Sequence, residues 1–261
     1  MTQPDAGRFA NDLITGASSG IGAEFATQLR ARGYSLLLIA RRADKLQSLA
    51  QSLGNAEILP ADLADPAQLE LAALELQRRQ PHLLVNNAGF GTQGLFHQAP
   101  LDRQMEMHRL HVLATVRLSH AVLPAMAARN AGAIINVASV ASFGRSAGNV
   151  SYCATKAWMA AFSEGLSLEM RRSAPGVAIQ ALCPGFTYSE FHDVLGSDRS
   201  KVARSLWLQS ADVVRESLDN LSPSRLYVVP DWRYRWFVHL YPKLPNSFRL
   251  WLAARSPHKK Q

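Results

Sequence analysis

The sequence predicts an α/β fold built on a doubly wound parallel sheet of about seven strands, with helices on both faces. Short aliphatic segments alternate with longer helical patterns along most of the chain. The short segments are apolar on both faces, which is typical of strands in a parallel sheet covered by helices on each side. This alternation is the pattern of right-handed β–α–β units.

Seven segments are expected to form the strands: Asp12–Thr15, Ser35–Ala40, Ala56–Leu59, Leu83–Asn86, Ala133–Ala138, Ala178–Leu182 and Leu226–Val229. Helical patterns begin near Gly20, Ala43, Pro66, Leu101, Asn149 and Ala211. Asp65 before Pro66 marks one helix start, because aspartate caps free N–H groups and proline fits the first helical position.

Length and composition favour a single domain. A chain of 261 residues that is 48% hydrophobic can bury one large core. Two cysteines, Cys153 and Cys183, are too few for a disulfide scaffold, so a reducing cytoplasm is expected. The first residues lack the basic start and apolar run of a signal peptide, and the stretch Leu36 to Ala40 is too short to span a bilayer. The sequence therefore predicts a cytoplasmic protein that is not integral to a membrane.

Positive charge is concentrated at the C-terminus. The net charge is +8, and residues 225–261 hold eight Lys and Arg against one acidic residue, together with three of the five tryptophans. We treat residues 1–230 as the domain and residues 231–261 as a C-terminal extension, packed on it or appended to it. Basic residues interleaved with Trp and Leu are typical of interfacial helices, so peripheral contact with the inner membrane surface is one interpretation. The other is that these aromatic residues cover a pocket or lie in a subunit interface.

Residues 15–22, Thr-Gly-Ala-Ser-Ser-Gly-Ile-Gly, follow the first strand and open the first helix. Gly16 suits a tight turn, Gly20 permits close approach of a pyrophosphate, and Gly22 permits close packing of helix and strand. The helix N-terminus offers free N–H groups and positive potential to phosphates. The segment therefore predicts a Rossmann-type dinucleotide site.

The end of the second strand indicates which dinucleotide binds. An NAD site places a carboxylate there to bind the ribose 2′-hydroxyl. This strand ends at Ala40 without an acid, and Arg41 and Arg42 follow. Because a guanidinium pairs well with a 2′-phosphate, the sequence predicts NADP rather than NAD. The alternative is that both arginines lie in a solvated helix start.

Further motifs follow in order: Asp62-Leu63 after the third strand, Asn86-Asn87-Ala88-Gly89 after the fourth, Ser139 after the fifth, Tyr152 and Lys156 on the next helix, and Pro184-Gly185 with Thr187 and Ser189 after the sixth. With these motifs the chain resembles the short-chain dehydrogenase/reductase family from about Leu13 to Val229. The resemblance implies an oxidoreductase acting on an alcohol or carbonyl group, and a homo-oligomer formed through the helices at 101–129 and 149–172.

The resemblance also implies the site residues. The catalytic set is Ser139, Tyr152 and Lys156, with His111 where the family usually has an asparagine. The residues expected to bind NADP are Gly16, Ser18, Ser19, Gly20, Ile21, Gly22, Arg41, Arg42, Asp62, Leu63, Asn87, Ala88, Gly89, Tyr152, Lys156, Pro184, Gly185 and Thr187. The histidines form no ligand set, so no metal is expected, and no nucleic-acid module is present.

Tyr152 and Lys156 lie one helical turn apart on the same face. We expect Tyr152 to exchange a proton with the carbonyl oxygen while Ser139 hydrogen-bonds that oxygen. The Lys156 ammonium and the oxidised nicotinamide are expected to lower the pKa of Tyr152 from its reference value of about 10. Lys156 is also expected to hold the nicotinamide ribose. His111 is either part of a proton relay to solvent or a histidine packed between helices.

The stretch from Phe186 to Leu208 is expected to form a movable lid, and its residues Phe191, Leu195 and Trp207 favour an apolar ligand. A hydrophobic ketone, an aldehyde or a 3-oxoacyl compound all fit this expectation. Two other functions stay open: a regulatory dinucleotide-binding protein, supported by the altered residue His111, and a membrane-surface protein, supported by the extension.

Overall fold

The computed structural model describes residues 12–54, 56–190 and 202–255. Its sheet contains β1 (Asp12–Thr15), β2 (Leu36–Ala40), β3 (Ala56–Pro60), β4 (Leu83–Asn86), β5 (Gly132–Val137), β6 (Val177–Leu182) and β7 (Tyr227–Val228). The strand order is β3-β2-β1-β4-β5-β6-β7, and each neighbouring pair is parallel. The predicted doubly wound, single-domain fold is confirmed.

The helices of the described residues are α1 (Gly20–Ala31), α2 (Ala43–Leu53), α3 (Pro66–Arg79), α4 (Leu101–His108), α5 (Ala114–Ala128), α6 (Val150–Ser173), α7 (Ser210–Asp219), α8 (Trp232–Leu240) and α9 (Asn246–Arg255). One core lies between the sheet and α1, α2 and α7, and a second lies between the sheet and α3, α5 and α6. This two-sided cover explains why β1, β2, β4 and β6 are buried along their whole length. Strand β3 is half-exposed because it forms the sheet edge.

Local sequence signals explain where individual helices begin. The Asp65 side chain accepts a hydrogen bond from the backbone N–H of Gln68 at 2.9 Å, so the predicted cap of α3 is formed. Asp231 caps α8 in the same way through the N–H of Arg233 at 2.8 Å. The predicted start of α6 at Asn149 is one residue early, because Asn149 is the residue that precedes the helix.

Helices α4 and α5 are joined without a break by a π-helical turn, Arg109–Leu113. The combined stretch Leu101–Ala128 is long and apolar enough to cross a membrane by length and composition. Its Leu118, Val122 and Met126 side chains lie in the second core against the sheet, which is the packing of a core helix in an α/β fold. A π turn adds one residue to a helical turn and commonly marks a functional position.

Asp12, at the start of β1, carries a buried carboxyl group at the amino-terminal ends of the strands, opposite the end where the cavity opens. Its Oδ1 accepts hydrogen bonds from the backbone N–H groups of His82 and Leu83 at 3.2 and 2.8 Å, whereas Oδ2 has no partner among the described residues. Burial raises the pKa of Asp12 to about 7, although both backbone hydrogen bonds act to lower it. The folded protein therefore holds the Asp12 proton over a pH range in which the unfolded chain has released it.

The contribution of Asp12 to the stability of the protein is therefore expected to fall by about 2–4 kcal/mol as pH rises from about 4 to about 7. Asp12→Asn keeps the accepting oxygen and removes the ionisation, so it should flatten this part of the profile. Urea unfolding at several pH values measures the effect. The matched control is Asp102→Asn, at an exposed position on α4. A slope that is the same in wild type and Asp12→Asn contradicts the prediction.

Candidate active site

A cavity of about 970 Å³ opens at the carboxyl ends of the strands, where the loops after β1 and β4 diverge. This position is the switch point at which doubly wound sheets bind their ligands. The cavity is lined by all the sequence-predicted cofactor residues except Gly22, and by Ser139, Tyr152 and Lys156. Gly22 and His111 lie behind the cavity wall.

Gly22 packs α1 against the loop after β1. A Cβ atom at this position would lie 2.3 Å from the carbonyl oxygen of Gly16 and 2.4 Å from Nδ2 of Asn87, which is closer than any side chain tolerates. The N-cap residue of α1, Ser19, makes no side-chain capping hydrogen bond. The first N–H groups of the helix are therefore placed to bind a phosphate at the cavity.

Thr15 and Asn87 join the loops after β1 and β4. Thr15 Oγ1 accepts from the backbone N–H groups of Asn87 and Ala88 at 2.9 and 3.0 Å. Asn87 Nδ2 donates to the carbonyl oxygens of Thr15 and Gly16 at 3.0 and 3.2 Å. Sequence analysis missed Thr15, because its partners are some 70 residues away in the chain.

The two predicted arginines form a cationic region at one end of the cavity. Arg42 donates to Ser18 Oγ and Ser19 Oγ, each at 3.0 Å, and pairs with Glu190 at 2.8 Å. Arg41 pairs with Glu106 at 3.0 Å and lies 3.7 Å from Asp62.

Glu190 is a further residue that sequence analysis missed. It bridges the start of α2 to the loop after β6, since it also pairs with Lys45 at 3.1 Å. Hydrogen bonds from Arg42 and Lys45 lower the pKa of Glu190. The Glu190 carboxylate therefore occupies the position beside Arg42 and Lys45 at which an anion would bind. No local pattern in the sequence indicates this pairing.

Strand β5 and helix α6 bring the three predicted catalytic side chains together. Ser139 follows β5 and its Oγ accepts from the N–H of Ala141 at 3.1 Å. The Tyr152 hydroxyl is hydrogen-bonded to the Ser139 side chain. Lys156 Nζ donates to the carbonyl oxygen of Val137 at 2.7 Å and lies 6.0 Å from the centre of the Tyr152 ring.

The pKa of Tyr152 differs in direction from the sequence expectation. Desolvation raises it to about 12, and the hydrogen bond to Ser139, which acts to lower it, does not offset this effect. Burial also lowers the pKa of Lys156 to about 8. Burial thus dominates the pKa of Tyr152, and the Lys156 ammonium is directed at the Val137 carbonyl oxygen. The part of the expected lowering that rests on the oxidised nicotinamide stays a prediction.

His111 is fully buried in the π turn between α4 and α5. Its Nε2 accepts from the backbone N–H of Phe90 at 3.2 Å, which places the ring proton on Nδ1. Nδ1 then donates to Thr155 Oγ1 at 2.9 Å, and Thr155 Oγ1 donates to the carbonyl oxygen of Tyr152 at 3.0 Å. Burial holds the pKa of His111 well below its usual range.

The loop after β4 is shaped to admit this imidazole. A Cβ atom on Gly89 would lie 2.6 Å from His111 Nε2, so only glycine fits there. His111 therefore links the loop that lines the cavity to the helix that carries Tyr152. Of the two interpretations left open by the sequence, this geometry favours the packed histidine.

Aromatic residues form the remaining wall of the cavity. Trp207, Phe237, Tyr241 and Leu252 line it, so α8 and α9 of the extension contribute to the wall. The Tyr234 hydroxyl accepts from the N–H of Phe186 at 3.1 Å and donates to the carbonyl oxygen of Leu206 at 2.6 Å, which fastens α8 to the loop after β6. The predicted apolar residues Phe191 and Leu195 lie outside the described residues.

The fold and the cavity together define an α/β oxidoreductase of the dinucleotide-binding class. The profile of the short chain dehydrogenase family matches residues 11–200. The chain belongs to the short-chain dehydrogenase/reductase family, as the motifs predicted.

Proteins from several sources resemble this chain. The human protein Dehydrogenase/reductase SDR family member 7 is 35% identical over 182 residues, which are 66% of this chain and 53% of the relative, so the match spans about half of that relative's length. The structure of a short-chain dehydrogenase from Sphingobium yanoikuyae in complex with NADPH superposes with a TM-score of 0.81 at 31% identity, covering 97% of this chain and 98% of that one. A bulky-bulky ketone specific alcohol dehydrogenase from Comamonas testosteroni superposes with a TM-score of 0.77 at 29% identity, covering 96% and 97%.

The two hydrogen bonds of His111 generate a prediction. His111→Ala leaves the buried N–H of Phe90 without its acceptor, so the free energy of unfolding should fall by about 1–3 kcal/mol. The pH–rate profile of His111→Asn should keep the apparent pKa values of the wild type, because the imidazole is neutral throughout the working range.

His108→Asn, which alters a half-buried histidine of α4, is the matched control for both measurements. A wild-type inflection that disappears in His111→Asn and persists in His108→Asn would instead assign His111 to the proton relay.

Proposed function

We propose that this protein transfers a hydride between NADPH and a hydrophobic ketone, aldehyde or 3-oxoacyl compound, with residues 1–230 as the NADP-binding domain. The observation that carries the proposal is the position of Ser139, Tyr152 and Lys156 on one wall of a cavity whose far end holds Arg41 and Arg42. A dinucleotide with its 2′-phosphate at that end would reach the tyrosine with its nicotinamide, beside a carbonyl compound in the same cavity.

The residues present fit NADP. The uncapped N-terminus of α1 suits a pyrophosphate, and the close packing at Gly22 lets the loop after β1 follow it. Arg41 and Arg42 suit a 2′-phosphate, and Asp62 and Leu63 line the adjoining wall. NADPH, when bound, would supply the hydride, and the protein supplies binding, orientation and the proton.

The catalytic roles follow from the positions of the side chains. Tyr152 is protonated at neutral pH, since its pKa is about 12, so its hydroxyl can donate a proton to a carbonyl oxygen as that oxygen gains negative charge. Ser139 lies beside that hydroxyl and can donate a hydrogen bond to the same oxygen. Lys156 is held by its hydrogen bond to the Val137 carbonyl oxygen. It adds positive charge near the Tyr152 ring and can donate a hydrogen bond to a ribose hydroxyl.

The wall composition supports an apolar substrate. Trp207 is stacked on Tyr188 with ring centres 4.9 Å apart, and Phe237 and Tyr241 face the same cavity. The Comamonas testosteroni structure is described as specific for bulky-bulky ketones, and this wall suits a carbonyl compound with large apolar groups. The alternative of a regulatory protein without catalysis loses its support, since His111 leaves the Tyr152 hydroxyl in place.

The assembly and location follow as parts of the proposal. Large apolar side chains are exposed on α4 and the π turn that follows it, among them Leu101, Met105 and Leu113, and Leu168 is exposed on α6. These faces suit a homo-oligomer formed through the helices at 101–129 and 149–172. We place the enzyme in the cytoplasm, with peripheral membrane contact through the extension.

The reaction is tested by following NADPH consumption with a panel of hydrophobic ketones, aldehydes and 3-oxoacyl thioesters. Tyr152→Phe removes the donated proton, so kcat should fall by about 100- to 10,000-fold while NADPH binding changes little. Tyr241→Phe, another tyrosine of the cavity wall, is the matched control and should keep most of the activity. The mechanism is wrong if Tyr152→Phe turns over at the wild-type rate.

The choice of cofactor generates a second prediction. Arg41→Gln and Arg42→Gln each remove a charged hydrogen-bond donor for a 2′-phosphate, so the KM for NADPH should rise about 10- to 100-fold, with a much smaller change for NADH. Arg78→Gln, at an exposed ion pair on α3, is the control. Equal effects on both cofactors would contradict the assignment of NADP.

A further inference from the structure

The extension, residues 231–261, presents an exposed apolar face that the proposed reaction does not use. On α8, Trp232, Trp236 and Leu240 are spaced four residues apart, so they share one side of the helix. Their exposed fractions are 63%, 60% and 49%. Three large apolar side chains in line at this exposure form an apolar patch, which is typical of a surface that binds a protein or a membrane.

The second helix of the extension has the same character. Phe248 and Trp251 of α9 are both exposed, and their rings are stacked with centres 5.5 Å apart. Leu250 is exposed on another side of the helix. Tryptophan and phenylalanine at this exposure are the side chains that enter the headgroup region of a bilayer.

Charge identifies the kind of surface that fits. The extension holds seven Lys and Arg residues and a single acidic residue, Asp231. Arg233 and Arg235 are engaged by Asp231 at 3.0 Å and Glu216 at 2.8 Å, whereas Lys243 is exposed in the turn between α8 and α9. Two such extensions would repel each other, so the excess charge disfavours a second copy and favours an anionic surface.

We infer that the extension docks this enzyme on an anionic lipid surface through Trp232, Trp236 and Leu240. The other side of the same segment lines the cavity through Phe237, Tyr241 and Leu252. A helix with its side chains is about 10 Å across, so docking brings the cavity wall within about one helix diameter of the lipid headgroups. This last step rests on the proposed function: docking would bring an apolar substrate dissolved in the bilayer close to the cavity wall that binds it.

The test is sedimentation of the full-length protein with vesicles. We expect binding to vesicles in which about a third of the lipid is phosphatidylglycerol, weaker binding at high salt, and little binding to pure phosphatidylcholine. The triple variant Trp232→Gln, Trp236→Gln, Leu240→Gln should reduce the partition coefficient by at least about tenfold. Leu71→Gln with Leu74→Gln removes exposed leucines from α3 and serves as the matched control, which should bind as the wild type does.

Circular dichroism shows whether the triple variant is folded. The inference is overturned if the wild type stays in the supernatant with the anionic vesicles, or if the triple variant partitions as the wild type does. A triple variant that binds vesicles normally but has a smaller mass by light scattering assigns the patch to a second copy instead. Vesicle binding is measured without turnover, so it stands or falls independently of the proposed reaction.

Discussion

A buried polar network holds helix α6 on strand β5, and the geometry of the site depends on it. Asn136 of β5 donates to Ser163 Oγ of α6 at 2.9 Å and accepts from Nδ2 of Asn86 at 2.9 Å. Asn136 and Ser163 are completely buried. Removing one partner would leave a buried polar group unpaired at a cost of about 1–3 kcal/mol, so the network fixes how α6 lies along the sheet.

Two further hydrogen bonds fix the same helix at the end that carries Tyr152 and Lys156. Ser142 Oγ donates to the carbonyl oxygen of Lys156 at 2.7 Å, and Lys156 Nζ donates to that of Val137 at 2.7 Å. The wall that carries the proposed catalytic residues is therefore built on a strand and a helix of the scaffold, which is the arrangement that holds reacting groups to within fractions of an ångström. The opposite end of the cavity differs, because Arg41, Arg42 and Glu190 form partly exposed ion pairs that a bound anion can rearrange.

Most of the fold could be predicted because its signals are local. Doubly apolar runs mark the buried strands, and a cap such as Asp65 marks a helix start within one residue. The features that escaped prediction join distant parts of the chain, such as Thr15 with Asn87 and Arg42 with Glu190. The sequence alone leaves open how the extension lies. Helix α8 has one side in the cavity wall and another side exposed, a division that only packing against the domain reveals.

The protonation state of Tyr152 also depends on packing, and it bears on the proton transfer that we propose. Because burial raises its pKa to about 12, the Tyr152 phenol is protonated at pH 7. Reduction needs the protonated form, which is the form present, whereas oxidation of an alcohol needs a proton acceptor at that oxygen. Desolvation around Tyr152 therefore keeps the proposed proton donor protonated, and proton acceptance by the phenolate would require that positive charge near the phenol offset the effect of burial. Lys156, with its pKa lowered to about 8, remains mostly charged at neutral pH and is the protein group placed to contribute that charge.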